Sequence, residues 1–160
     1  MKAPFPANDD ILIRPAAAKD IEAMAGFLTA LFSIEQDFHP DMEKQRRGLR
    51  LLLRNPAACA LVAAAAASDN EPVGMVCGQL LISTAEGGLS LLLEDMFVVA
   101  AWRGCGLGRR LVDALLDWAR AQGASRAQLL ADADNAPALE FYHRVGWNQT
   151  RLAAWRKMLR

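Results

Sequence analysis

Glu94-Asp95-Met96-Phe97-Val98-Val99-Ala100-Ala101-Trp102-Arg103-Gly104-Cys105-Gly106-Leu107-Gly108-Arg109-Arg110-Leu111 carries an apolar run into a glycine-spaced turn that opens directly onto a helix. A strand is predicted over residues 89–99. Leu107, Leu111, Leu115 and Trp118 form one apolar helical face, and Arg109 and Asp113 pair four residues apart on its solvent side. Gly104, Gly106 and Gly108 let the backbone take φ > 0 and approach a ligand with no Cβ in the way. The helix that follows offers unpaired N–H groups and the positive end of its dipole, so phosphate is the natural ligand. Successive N–H groups in such a turn form an anion nest, to which Arg103, Arg109 and Arg110 add charge. The turn lacks the Gly-Lys-Ser/Thr ending of a nucleotide P-loop. Its glycines also miss the dinucleotide spacing, which needs two residues between the last two.

A second segment, Asn135-Ala136-Pro137-Ala138-Leu139-Glu140-Phe141-Tyr142-His143-Arg144-Val145-Gly146-Trp147, reads as a short helix. Asn135 suits the N-cap, Pro137 is tolerated in the first turn, and Gly146 stands where a C′ glycine ends a helix. Asn135 and Tyr142 lie within about 20° of two full turns, so they share a face. Phe141 then points away, into a core.

Arg103-Gly104-Cys105-Gly106-Leu107-Gly108 resembles the Arg/Gln-x-x-Gly-x-Gly/Ala signature of the GNAT superfamily of N-acetyltransferases. The segment from Asn135 to Trp147 is similar to that family's Asn-x-x-Ala-x-x-Phe-Tyr-x-x-x-Gly-Phe/Trp element. The match is specific over residues 89–147 and architectural elsewhere. Ala100 stands where the family often has proline, at a loosely specified position.

Length and composition bound the rest. At 160 residues the chain is expected to be one domain, 1–160, with residues 1–9 a flexible tail. A 53% hydrophobic content excludes a disordered chain. Eighteen basic and eighteen acidic residues cancel, so no global field draws in nucleic acid or an anionic membrane. No segment reads as a signal peptide or approaches transmembrane length, and a cytoplasmic location is the expectation. Cys59, Cys77 and Cys105 are odd in number and widely spaced, which argues against a disulfide framework and against zinc. With His39 and His143 the only histidines, no metal site is expected.

Outside the two motifs, residues 11–14 read as a first strand, and 20–32 and 40–54 as amphipathic helices. Residues 57–67 are alanine-rich and favour helix by propensity. Pro56 and the turn-forming run Ser68-Asp69-Asn70-Glu71-Pro72 bracket them instead as one hairpin arm, with 73–84 the other. Gly74 and Gly78 in that second arm signal a bulge or close packing. Residues 126–131 read as a buried strand and 154–159 as the last one. The order β-α-α-β-β-β-α-β-α-β, an α/β (α+β) arrangement with a mixed sheet of about six to seven strands flanked by helices, matches the GNAT fold.

The resemblance implies acetyl transfer from acetyl-CoA to a primary amine by direct attack in a ternary complex. It assigns the pyrophosphate to Arg103, Gly104, Cys105, Gly106, Leu107, Gly108 and Arg109. Backbone groups of Met96, Phe97 and Val98 would meet the acetyl and pantetheine groups, where the strand typically splays at a bulge. Asn135 would bind the pantetheine arm, and Tyr142 would protonate the departing thiolate. Glu94, on a strand similar to that of polyamine-type acetyltransferases, would relay the amine proton or attract a cationic acceptor. Strict alternation puts Glu94 on the face of Met96 and Val98, with Asp95 opposite and structural. Glu35, Asp37 and Phe38 lie in the connection that commonly frames the acceptor pocket, where acids beside an aromatic wall suit a cationic amine. An acidic loop that is simply hydrated has the same composition. A small-molecule amine partner and a homodimer are expected, with neither nucleic acid nor membrane. A protein N-terminus or lysine as acceptor, or a non-catalytic acyl-CoA sensor, remain alternatives.

Overall fold

In the computed structural model, residues 11–35, 37–65 and 70–159 are described. The tail expected over 1–9 lies outside them. The chain divides into two compact units, Met1–Gln128 and Leu129–Arg160.

The first unit is built on a five-stranded sheet in the order β1-β2-β3-β4-β5. The strands are β1 (Ile11–Pro15), β2 (Ala58–Ala65), β3 (Pro72–Ser83), β4 (Gly88–Val98) and β5 (Ala124–Leu129). The first three pairings are antiparallel. β5 follows β4 through a helical crossover, which makes their pairing parallel and the sheet mixed. Among the described residues three α-helices belong to this unit: α1 (Ile21–Phe32), α2 (Met42–Arg54) and α3 (Leu107–Ala121).

Local chemistry sets these boundaries. Asp41 caps α2 by accepting from the Lys44 N–H at 3.1 Å. Asp20, 3% exposed ahead of α1, takes two hydrogen bonds from Arg14 at 2.7 and 2.8 Å and ties β1 to that helix. Ala58–Ala65 is a strand despite its alanines, because both faces are covered and six of its eight residues are buried. Tertiary burial overrides propensity here.

The sheet separates two packing layers. Met75 and Cys77 of β3, with Ala60 and Val62 of β2, pack under α1 and α2 against Met24, Leu28 and Leu49. Gly74 and Gly78, on the opposite parity, face Leu111 and Leu115 of α3. A Cβ on Gly78 would lie 2.8 Å from the Leu92 carbonyl oxygen, and one on Gly74 would lie 3.0 Å from that of Phe97. The close approach expected at both glycines is present.

The second unit holds α4 (Ala136–Arg144). Asn135 is its N-cap, with Oδ1 accepting from the Ala138 N–H at 3.2 Å, and Gly146 follows it at φ 91°. Tyr142 packs edge-on to Phe141 and Trp147, at ring separations of 5.2 and 6.0 Å.

Two expectations need correction. Residues 148–159 form neither helix nor strand, so the final strand is absent and, among the described residues, five strands stand where six to seven were expected. Leu152, Trp155, Met158 and Leu159 fall on both parities, so no single face is specified for pairing. The strand expected over 126–131 runs from Ala124 to Leu129 and is not buried, because it is the sheet's edge. Among the described residues no helix is long and apolar enough to cross a membrane.

Candidate active site

β4 carries one residue too many. Val76 pairs with Met96 and Gly78 with Leu93, so Cys77 alone stands opposite both Glu94 and Asp95. A Cβ on Gly78 would touch the Leu91 side chain, and one on Gly74 would touch that of Val98, so Leu91 and Val98 both face α3. Residues an odd number apart on an unbroken strand would face opposite ways. The bulge absorbs the difference and directs Glu94 and Asp95 together toward α1 and α2. The alternation placing Glu94 with Val98, and Asp95 opposite, is therefore overturned.

Both carboxylates line a cleft of about 490 Å³ between α1, α2 and the sheet. Leu28, Phe32, Phe38, Leu49 and Leu52 form its apolar walls. Phe38 stacks on Phe32 at 5.0 Å between ring centroids. Glu35 and Asp37, expected beside Phe38, are not among the residues lining the cleft, whereas His39 and Asp41 are.

The two acids sit in different surroundings. Glu94 is exposed and accepts a hydrogen bond from Gln79 Nε2 at 3.2 Å. Asp95 lies deeper, and burial raises its pKa from 3.8 to about 6, Glu94's charge adding to the rise and the Cys77 hydrogen bond opposing it. Burial also drives the Cys77 thiol well up, so it stays protonated and donates to Asp95 Oδ2 at 3.4 Å. A carboxylate that titrates near neutrality in a cleft is suited to proton transfer. Asp95 is thus the residue that alternation missed. The glycines of β3 and the splayed strand of the family resemblance were the available signals.

Beyond β4 the backbone takes the form expected of an anion-binding turn. Gly104 and Gly106 take φ of 80° and 84°, and a Cβ on Gly104 would meet nothing within 4 Å. Among the described residues no side chain caps α3, which leaves its first N–H groups without a side-chain partner there, as a coenzyme pyrophosphate would require. The arginines are partly committed elsewhere. Arg103 Nε donates to the Val98 carbonyl at 2.8 Å and its guanidinium lies over the Phe97 ring at 5.4 Å. Arg110 donates to the Ile11 carbonyl at 2.9 Å, while Arg109 pairs with Asp113 at 3.5 Å on the surface. Arg103 thereby pins the loop to β4 and occupies one of the carbonyls expected to face the ligand. Cys105 donates to the Trp102 carbonyl at 3.0 Å within the same turn.

Residues 27–147 match the model of the acetyltransferase (GNAT) family. The chain belongs to that family. GNAT acetyltransferases take acetyl-CoA as cosubstrate. An uncharacterised N-acetyltransferase of Methanocaldococcus jannaschii is 29% identical over 94 residues, 58% of this chain and 42% of the relative. A streptothricin acetyltransferase of Streptomyces lavendulae is 35% identical over 74 residues, 46% of this chain and 39% of the relative. The chain thus spans less than half the length of these curated relatives. Among solved structures, an aminoglycoside acetyltransferase from an uncultured soil metagenomic sample superposes with a TM-score of 0.76 at 19% identity, over 97% of this chain and all of that one. At that identity the likeness shows the fold.

Proposed function

We propose that this GNAT protein transfers an acetyl group from acetyl-CoA to the primary amine of a small cationic metabolite. One observation carries the proposal. The bulge in β4 aims two carboxylates into an aromatic-walled cleft, and the same strand runs on into an uncapped, glycine-lined helix terminus. Roughly 10 Å of strand separates Asp95 from the end of β4. Cation binding is thus assigned to β4, and anion binding to the loop that leads from it into α3.

Each residue then has a task. The open backbone of Gly104 and Gly106, with the N–H groups of Leu107, Gly108 and Arg109, takes the pyrophosphate. The strand segment Met96 to Val98 aligns the thioester. Exposed Glu94 draws in the ammonium and relays its proton, and Asp95, held near 6, accepts it. The freed nitrogen lone pair forms the C–N bond as the C–S bond breaks. The α4 motif assigns Asn135 to the pantetheine arm and Tyr142 to protonation of the thiolate. Use of acetyl-CoA fits the cytoplasmic setting expected from the sequence, and sedimentation analysis tests the expected homodimer. The deciding experiment follows thiol release from acetyl-CoA over a panel of polyamines, aminoglycosides, amino acids and short peptides. Release with small cationic amines is expected. Silence across the whole panel, with coenzyme A still bound, would refute catalysis and leave an acyl-CoA sensor.

A further inference from the structure

Gln45 lines the same cleft as Glu94 and Asp95, yet its chemistry differs from theirs. The residue is 6% exposed, projecting from α2. Thr29 Oγ1 holds one end of its amide, donating to Oε1 at 2.9 Å. The other end, Nε2, is buried with no hydrogen-bond partner among the described residues. Buried amides almost always find partners, because stranding one forfeits its hydration without return. An amide fixed at one end and unsatisfied at the other, in the wall of a ligand-sized cleft, is a recognition group awaiting its partner.

The identity of that partner follows from the donor. Nε2 cannot favour an ammonium, which also only donates, nor a methyl, which does neither. A hydroxyl oxygen accepts from Nε2 and leaves the Thr29 bond to Oε1 in place. Glu94 and Asp95 disfavour an acid in the same cleft, and Lys44, the cation in its lining, is paired with Asp41 at 3.3 Å. Resting on the acetyltransferase assignment above, we infer that the acceptor is a hydroxyl-bearing amine, an amino alcohol or amino sugar, whose hydroxyl meets the Gln45 amide while Glu94 and Asp95 take its nitrogen. Gln45 is then the residue that separates hydroxylated amines from plain polyamines.

Matched probes test this. Straight-chain primary amines of three to six carbons, ending in methyl, hydroxyl or a second ammonium, are titrated calorimetrically against the full chain with coenzyme A present. At the chain length that fits, the hydroxyl probe should bind about 10-fold tighter than its methyl and ammonium counterparts. Gln45→Met keeps length and removes the amide; it should erase that preference, leave methyl-probe affinity unchanged and raise Tm, since the unsatisfied group is gone. Gln45→Leu serves if the methionine variant misfolds. Equal binding of all three probes by the wild type, or a hydroxyl preference that survives in the variant, overturns the inference. Thiol release on the same probes separates the two levels. Acetylation without hydroxyl preference defeats only the Gln45 subsite, whereas hydroxyl-selective binding without release defeats only catalysis.

Discussion

Replacing Asp95 by asparagine keeps the shape at the β4 bulge and its acceptor for the Cys77 thiol, while removing the charge. Ionising a carboxyl at about 6 instead of 3.8 costs the folded state about 3 kcal/mol. Because the folded pKa is raised, the associated stability is fully present below the unfolded value of about 4. It is lost as pH climbs through about 6. The wild type therefore gives up about 3 kcal/mol by pH 8 that Asp95→Asn does not. The variant should melt roughly 6–12 °C higher than wild type at pH 8, with the gap closing toward pH 4.

Activity should move the other way. If the amine arrives as an ammonium and Asp95 takes its proton, wild-type kcat/KM rises tenfold per pH unit up to about 6 and then levels. The variant can use only amine that is already neutral, so its rate should start about 10²–10⁴-fold lower and keep climbing past pH 8. Thiol-release kinetics and thermal melts over pH 4–9 measure both halves. Parallel pH profiles for the two proteins, together with a melting difference that ignores pH, would refute the role given to Asp95. A gain in stability bought with catalysis is the expected signature of a carboxylate buried for its reactivity.

Other residues give independent outcomes. Gly106→Val forces a branched side chain into left-handed backbone at φ 84°, and coenzyme A affinity by calorimetry should fall at least about 10-fold in a variant that still folds. Tyr142→Phe should lower kcat about 10²–10⁴-fold while acetyl-CoA affinity stays within error, because the hydroxyl acts as the thiolate departs. Glu94→Gln should raise KM for cationic acceptors, by an amount that shrinks in high salt as expected of an exposed charge. It should also lower kcat by a factor that shrinks as pH rises and neutral amine becomes available without the relay.

The glycine turn and both caps of α4 were legible in the sequence because each is a local device. Gly104 and Gly106 announce left-handed backbone, Asn135 announces a cap, and the structure has both. The helices of 20–32 and 40–54 were equally plain from periodicity. Residues 57–67 needed their flanking prolines to outweigh alanine's helical preference. The C-terminal segment misled because Trp155 and Leu159 look like strand residues, yet Leu152 and Met158 fall on the opposite parity. Gln45 could not be found at all. A glutamine on an amphipathic helix reads as a solvated position until Thr29 and the cleft are seen around it.

The bulge is where legibility and function part company, and the reason is physical. Alternation is a rule for a strand whose two edges stay in step, and it assigned Asp95 to a structural face. The two edges cannot stay in step here. Gly78 approaches the Leu92 carbonyl so closely that a Cβ would sit 2.8 Å away, and Cys77 must span two residues of β4. The small residues of β3 thus permit the local kink, and the kink turns a second carboxylate into the cleft. Cys77 then supplies what a buried acid needs, a neutral donor that does not hold the carboxylate permanently charged. A cation in place of Cys77 would hold Asp95 ionised at every relevant pH and leave it no proton affinity to use. An apolar residue there would push its pKa still higher and delay ionisation. A protonated thiol lies between those limits, so the residue opposite the bulge tunes the acid as well as completing the sheet.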